Sequence, residues 1–196
     1  MKRFLFAAGF FITAFTVYSQ TEATTKSGAK VLLHPNGTWT YAGCEDFVTS
    51  GTYSGGKRFL SSKENIIISP DNGATGVKIS MHKGTDVYLI NIDNLVTHLI
   101  CVTTKAPITL EFTDGYKVVT QHALSLNCKA EFGLSLGNTK DDIKLLDLLK
   151  VKKLKQITIE YTTSEGDGTK KYNESFIFNA AQSERFIKTL QCLSNS

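Results

Sequence analysis

The chain has 196 residues, 41% of them hydrophobic and 20% charged, with 22 basic residues against 18 acidic. That balance is ordinary for a folded globular protein long enough to bury a core, and it argues against an intrinsically disordered chain. A formal charge of +4 gives no electrostatic case for nucleic acid as a partner.

Residues 1–19 read as a signal peptide. Lys2 and Arg3 form a positive start, and an apolar run from Phe4 to Val17 follows, with Thr13 and Thr16 its only hydroxyls. Val17 and Ser19 place small residues at the −3 and −1 positions of a cleavage site before Gln20. The run is shorter than the roughly 20 apolar residues of a spanning helix. Cleavage would leave 177 residues with 20 basic and 18 acidic groups, a near-neutral chain without a second apolar span. No cysteine follows the cleavage point to carry a lipid anchor. The expected destination is periplasmic or secreted, where disulfides are permitted and nucleotide-driven chemistry is disfavoured.

Residues 20–43 are expected to form an N-terminal β-hairpin module and residues 44–196 a β-rich α+β domain. After a polar stretch to Ala29, Lys30 to His34 reads as a strand, Pro35-Asn-Gly37 as a turn and Thr38 to Tyr41 as the returning strand. Trp39 and Tyr41 share one face of it by the two-residue period. The pair is either a binding surface or a packed aromatic cover. Residues 43–56, rich in Gly, Ser and Thr, read as a linker. Strands follow at Arg58 to Leu60 and Asn65 to Ser69, then a hairpin of 77–81 with 87–92, then a second of 108–112 with 116–120, then 130–136. Thr139 with Asp142 caps a helix carrying Ile143, Leu146 and Leu149; Asn179 with Gln182 caps another carrying Phe186, Ile187, Leu190 and Leu193. Strands 156–163 and 172–178 lie between them. Lys152, Lys153 and Lys155 cluster where the first helix should end, a place that its dipole makes favourable for cations. The whole reads as roughly eight antiparallel strands built from hairpins, with two helices packed on them.

Lys30-Val-Leu-Leu33 followed by Gly37-Thr-Trp39-x-Tyr41 resembles a short module found near the mature N-terminus of many exported bacterial proteins of unknown function. Cys101, the Phe112-Thr-Asp-Gly115 turn, Asn127-Cys128, the passage from Leu149 through Lys155 to Thr158, with Ile157 and Ile159 opening the strand, and the Phe186 to Leu193 stretch are similar to small secreted bacterial domains. The resemblance implies export and carries no activity, cofactor or catalytic residue with it.

Four cysteines suggest two bridges. If Asp114-Gly115 is a two-residue turn, the numbers of paired residues across that hairpin total 229, as do those of Cys101 and Cys128. Cys44 and Cys192 then pair by elimination. Free buried thiols are the alternative.

The motifs that could carry chemistry each lack a part. Gly133-x-Ser135-x-Gly137 matches a nucleophile elbow, yet His34, His82, His98 and His122 all precede the serine, and the helix starts four residues too late. Gly51-x4-Gly56-Lys57 has Arg58 where a phosphate loop needs a magnesium-binding hydroxyl. His98 and Cys101 could pair only if the cysteine is unbridged. The scattered histidines support zinc weakly, and the turns holding Asp71, Asn72 and Asp167 lack the alternating oxygen ligands of a calcium loop. Asn36-Gly-Thr38 and Asn173-Glu-Ser175 match a glycosylation pattern that a bacterial chain would not use. The resulting expectation is an exported, non-catalytic binding or interaction protein with a protein or small-molecule partner and no cofactor. A small hydrolase with an unrecognised site and an inhibitor or stabiliser of another secreted protein stand as alternatives.

Overall fold

The structure is a computed structural model that describes residues 21–24, 30–35, 39–70, 75–95, 101–165 and 168–195. The predicted signal peptide lies outside the described residues. In chain order the strands are β1 (Thr21–Thr24), β2 (Lys30–Leu33), β3 (Trp39–Tyr41), β4 (Val48–Thr52), β5 (Arg58–Ser62), β6 (Ile66–Ile68), β7 (Val77–Lys83), β8 (Tyr88–Asn94), β9 (Pro107–Phe112), β10 (Lys117–Gln121) and β11 (Glu131–Leu136). Helix α1 (Lys140–Leu149), strands β12 (Leu154–Glu165) and β13 (Gly168–Ile177), and helix α2 (Ala180–Ser194) complete the chain.

Among the described residues these strands form three sheets, antiparallel throughout. β1-β2-β3 is a small N-terminal sheet; β11-β8-β7-β5-β4 form the largest, with β6 also paired to β7; β10-β9-β12-β13 form the third. The α+β class read from the sequence holds, with thirteen strands among the described residues where roughly eight were expected. The polar stretch ahead of β2 contributes one of them as β1, paired to β2 from Thr21 opposite Leu33.

The two larger sheets each bury one face. Val77, Ile79 and Met81 of β7, Ile90 and Ile92 of β8, and Ile108, Leu110 and Phe112 of β9 alternate with more exposed neighbours. All of them belong to one hydrophobic cluster. Period-two alternation puts every second side chain on the same side, so one apolar face per sheet is enough to join the sheets through a shared core. A polar contact crosses between them: Asn94 on β8 donates to Glu174 on β13 at 3.0 Å. Burial first, and the Glu174 carboxylate second, push the Tyr161 hydroxyl up to about 12.

Both helices begin with the predicted caps. Thr139 and Asp142 exchange side-chain and backbone bonds around α1, and Asn179 and Gln182 do the same for α2. Each reciprocal pair satisfies two of the orphan N–H groups of a first turn. α2 buries Phe186, Leu190 and Leu193 as expected and packs against β4, β5, β6 and β7. α1 departs from expectation: Leu145, Leu146 and Leu149 are buried, while Ile143 is 48% exposed. At 100° per residue the stripe centred on Leu145, Leu146 and Leu149 is rotated by about 50° from one through Ile143, Leu146 and Leu149.

Three further expectations are corrected. Residues 43–56 are not a linker: they hold the buried Cys44 and strand β4, whose register with β5 runs from Val48–Ser62 to Thr52–Arg58. The basic cluster does not serve the end of α1, whose last turn contains no cation. Instead Lys152 pairs with Asp114, Lys153 with Glu184 and Lys155 with Glu111, so the passage into β12 is tied across the surface to the β9–β10 loop, α2 and β9. The β9–β10 hairpin closes on a three-residue loop, with Phe112 N–H bonded to Tyr116 at 2.9 Å and Gly115 at φ 85°. Only a residue tolerant of positive φ fits that position.

That loop makes paired residues total 228, from Lys117–Glu111 to Gln121–Pro107, one less than expected. The disulfides are nevertheless Cys101–Cys128 and Cys44–Cys192. One extra residue enters the second strand after His122, and the Val102–Asn127 bridge restores the offset that sets Cys101 beside Cys128. The pairing matches expectation, but the unbroken ladder from which it was argued does not exist. Bridged sulfurs leave no thiol for a Cys101–His98 pair; His98 itself lies outside the described residues.

Candidate binding groove

The first turns of α2 lie beside β6, and the sequence explains the hollow between them. Ile66-Ile67-Ile68 is a strand of three isoleucines, and a strand with one buried face must turn its middle residue outward. Ile66 and Ile68 are buried, whereas Ile67 is 52% exposed. Gln182, besides capping α2, donates from Nε2 to the Ile67 carbonyl at 2.7 Å. This pins the helix start to the outer edge of β6 without covering the isoleucine side chain.

The result is a groove of about 620 Å³ lined by Phe47, Asn65, Ile67, Ala181, Arg185 and Lys188 among others. A second hollow of about 290 Å³ continues past Asn179 and Gln182 to Pro70, Ser175 and Ile177. Ile177, at the end of β13, is 66% exposed. β13 is an edge strand of its sheet, so the two hollows lie beside the margins of both larger sheets. The rim is charged. Arg185 pairs with Glu64 at 2.6 Å and Lys153 with Glu184 at 2.6 Å. The Lys153 ammonium holds the Glu184 carboxyl below its ordinary range. These acids and bases are occupied with one another, and no nucleophile faces a base in the groove. An apolar floor with a charged rim is the make-up of a binding surface.

The residues singled out in the sequence lie elsewhere. Trp39 and Tyr41 form β3 opposite Leu33 and Val31, and their side chains lie outside the described residues. Ser135 sits within strand β11 and accepts from Asn138 at 3.2 Å. No elbow is present there, because β11 runs extended through Leu136. Gly133 has a packing reason: a Cβ on it would lie 2.6 Å from Leu124 Cγ. Gly51 to Arg58 is the β4–β5 hairpin, not a strand entering a helix, which removes the phosphate-loop geometry. Asp71, Asn72, Asp167 and the Asn36-Gly-Thr38 pattern lie outside the described residues. Among the described residues no three His, Cys, Asp or Glu side chains are grouped to hold a metal ion.

One serine–histidine contact does occur. Ser61 on β5 and His82 on β7 are directly opposite, with Oγ and Nδ1 2.9 Å apart. Burial lowers the imidazole pKa, against a weaker upward pull from Asp93. Asp93 forms its own ion pair with Lys78 at 3.0 Å. Sequence reasoning missed this pair because Ser61 and His82 are 21 residues apart and meet only through the β5–β7 register. The groove was half-legible: three consecutive isoleucines announce an outward apolar residue, but nothing local announces α2 beside it.

Comparison of the chain with protein-family models, curated proteins and solved structures gives no match in any of the three.

Proposed function

We propose that this is an exported, non-catalytic binding protein whose groove between α2 and β6 receives an apolar segment of a partner protein. The observation that carries the reading is the pair of exposed isoleucines, Ile67 and Ile177, each lining one of two hollows that share Asn179 and Gln182, with Arg185 and Glu184 at the rim already paired. Isolated exposed apolar residues are common, but two lining adjoining concavities are the usual mark of an interaction site. Two disulfides, and the lack among the described residues of any helix long and apolar enough to cross a membrane, fit an oxidising compartment. Periplasmic or secreted location, through cleavage after Ser19, is part of the proposal. So is the assignment of residues 20–43 to a hairpin module of the kind carried by exported bacterial proteins.

The test is affinity capture from the native envelope fraction with the mature protein and with an Ile67→Asp/Ile177→Asp variant. Both positions are exposed, so melting should hardly change. A partner retained by the first and lost by the second is expected. Identical captures at equal stability would overturn the groove as the site. If the captured protein is an enzyme, inhibition or stabilisation of it decides between the remaining binding roles.

A second reading, a small hydrolase, is favoured by the Ser61–His82 contact alone. A neutral imidazole beside a hydroxyl is the first requirement of an activated serine, but a positioned third group and oxyanion donors are also required. Labelling of Ser61 by a fluorophosphonate, abolished in His82→Gln, would establish that reading; failure to label would end it.

A further inference from the structure

We propose that His122 is an acid-released latch between the two larger sheets: when its Nδ1 takes up a proton, the segment from His122 to Cys128 lets go of the β11 edge. β11 is the last strand of its sheet in the described residues, and its outward backbone groups at Gly133 are met by a side chain and a loop instead of a strand. Gly133 N–H donates to His122 Nδ1 at 3.0 Å, and Gly133 C=O accepts from Ala123 N–H at 2.8 Å. His122 N–H in turn donates to Ala106 C=O at 2.8 Å, extending the β9–β10 ladder. One residue thus fastens the margin of the four-stranded sheet to the margin of the six-stranded one.

The geometry decides the protonation state. An Nδ1 that accepts from a backbone N–H must be unprotonated, which places the ring proton on Nε2. His122 is 2% exposed, and Nε2 meets no hydrogen-bond partner. Protonation would set two N–H donors face to face and bury a cation. The ring is surrounded by Phe132, edge-on at 6.0 Å, and by the Ser125 main chain. Lys105 and Lys129 on the adjoining segments are exposed and Glu131 is half-buried; none of them acts on the imidazole. Burial lowers its pKa, against a smaller upward effect of the Ser125 backbone. The far end of the segment is held by the Cys101–Cys128 bridge and the Val102–Asn127 pairing, so release is local.

Once open, the imidazole regains an ordinary pKa near 6.5. Lowering the pH to 5 then favours the open form by up to about thirtyfold over neutral pH, at tenfold per unit below the pKa. Amide hydrogen exchange of Gly133 and Ala123, corrected for intrinsic rates, reads this directly at pH 7.5 and 5.0. Ile79, in the middle of its sheet, serves as the global reference. In the unmodified protein the opening constant of Gly133 should rise up to about thirtyfold and stay well above that of Ile79, whose own opening also rises because global unfolding frees the same imidazole. In His122→Asn, whose Oδ1 accepts from Gly133 without titrating, the rise should stay below about threefold. Protection of Gly133 that is independent of pH, that falls equally in the Asn variant, or that equals the protection of Ile79 at both pH values would overturn the latch. Should the variant fail to fold, the ¹⁵N shift of His122 Nδ1 decides. Protonation accompanied by loss of Gly133 protection is expected; protonation with protection intact would overturn it.

Discussion

Phe186→Ala tests the packing of α2 most directly. The ring is 1% exposed and stands edge-on to Phe178, with centroids 5.9 Å apart and planes at 88°. Truncation loses the transfer free energy of the ring, about 2 kcal/mol. It also leaves a cavity approaching 100 Å³, which at about 24 cal/mol per Å³ adds up to about 2 kcal/mol if the walls do not collapse. The expected cost is therefore about 3–4 kcal/mol. With a urea m-value of about 2 kcal/mol/M, the denaturation midpoint should fall by about 1.5–2 M. Far-UV circular dichroism with the disulfides intact follows the transition. Phe178→Ala and the double variant complete a cycle whose coupling should be about 0.5–1.5 kcal/mol, the worth of an edge-to-face pair. Ile143→Ala is the control, and at 48% exposure it should move the midpoint by less than about 0.5 kcal/mol equivalent. Equal shifts for Phe186 and Ile143, or a cycle without coupling, would refute the placement of α2 on the core.

Opening the bridges should cost more for the longer loop, with the logarithm of the chain it closes. Chain entropy assigns about 3.5 kcal/mol to Cys101–Cys128 and about 5 kcal/mol to Cys44–Cys192, whose separations are 27 and 148 residues. Because the shorter loop is nested in the longer and only slightly shortens it, the double loss should be additive within about 0.5 kcal/mol, as thermal unfolding of serine variants will measure. Gly133→Ala should destabilise by about 1–3 kcal/mol through overpacking against Leu124, and adding Leu124→Ala should recover part of it. Global stability should be flat above about pH 7 and fall as the pH drops through 6.5. In the fold, burial holds the pKa values of His122 and His82 below the ordinary histidine value of 6.5, so the unfolded chain takes up the protons first. A second loss should follow below about pH 4.5, where Glu111 and Glu184, held low by Lys155 and Lys153, must be protonated. Urea titrations from pH 8 to 3.5 check both steps, and stability that rises between pH 7 and 5 would contradict the first.

Local patterns were sufficient wherever the deciding interaction spans a few residues. The capping pairs Thr139–Asp142 and Asn179–Gln182 act over three residues, and both helices start where those pairs place them. The alternation in β7, β8 and β9 names the core face of each strand before any partner is known. Neighbour choice is different, since it is settled by contacts the chain makes with itself at long range. Ile143 and Leu145 are equally apolar, and only the angle at which α1 meets β11 turns one outward and the other in. Gly43 to Gly56 has a linker's composition, but pairing with β5 and a bridge to α2 make it part of the domain. The lysines after α1 look like a helix end until Asp114, Glu184 and Glu111 arrive from three other elements. The same holds for the groove and the latch. Ile67 meets Gln182 across 115 residues, and His122 meets Gly133 only after the extra residue in its strand has broken the ladder. Periodicity tells each segment which side to bury; the free energy of burying all those sides at once decides which segments become neighbours.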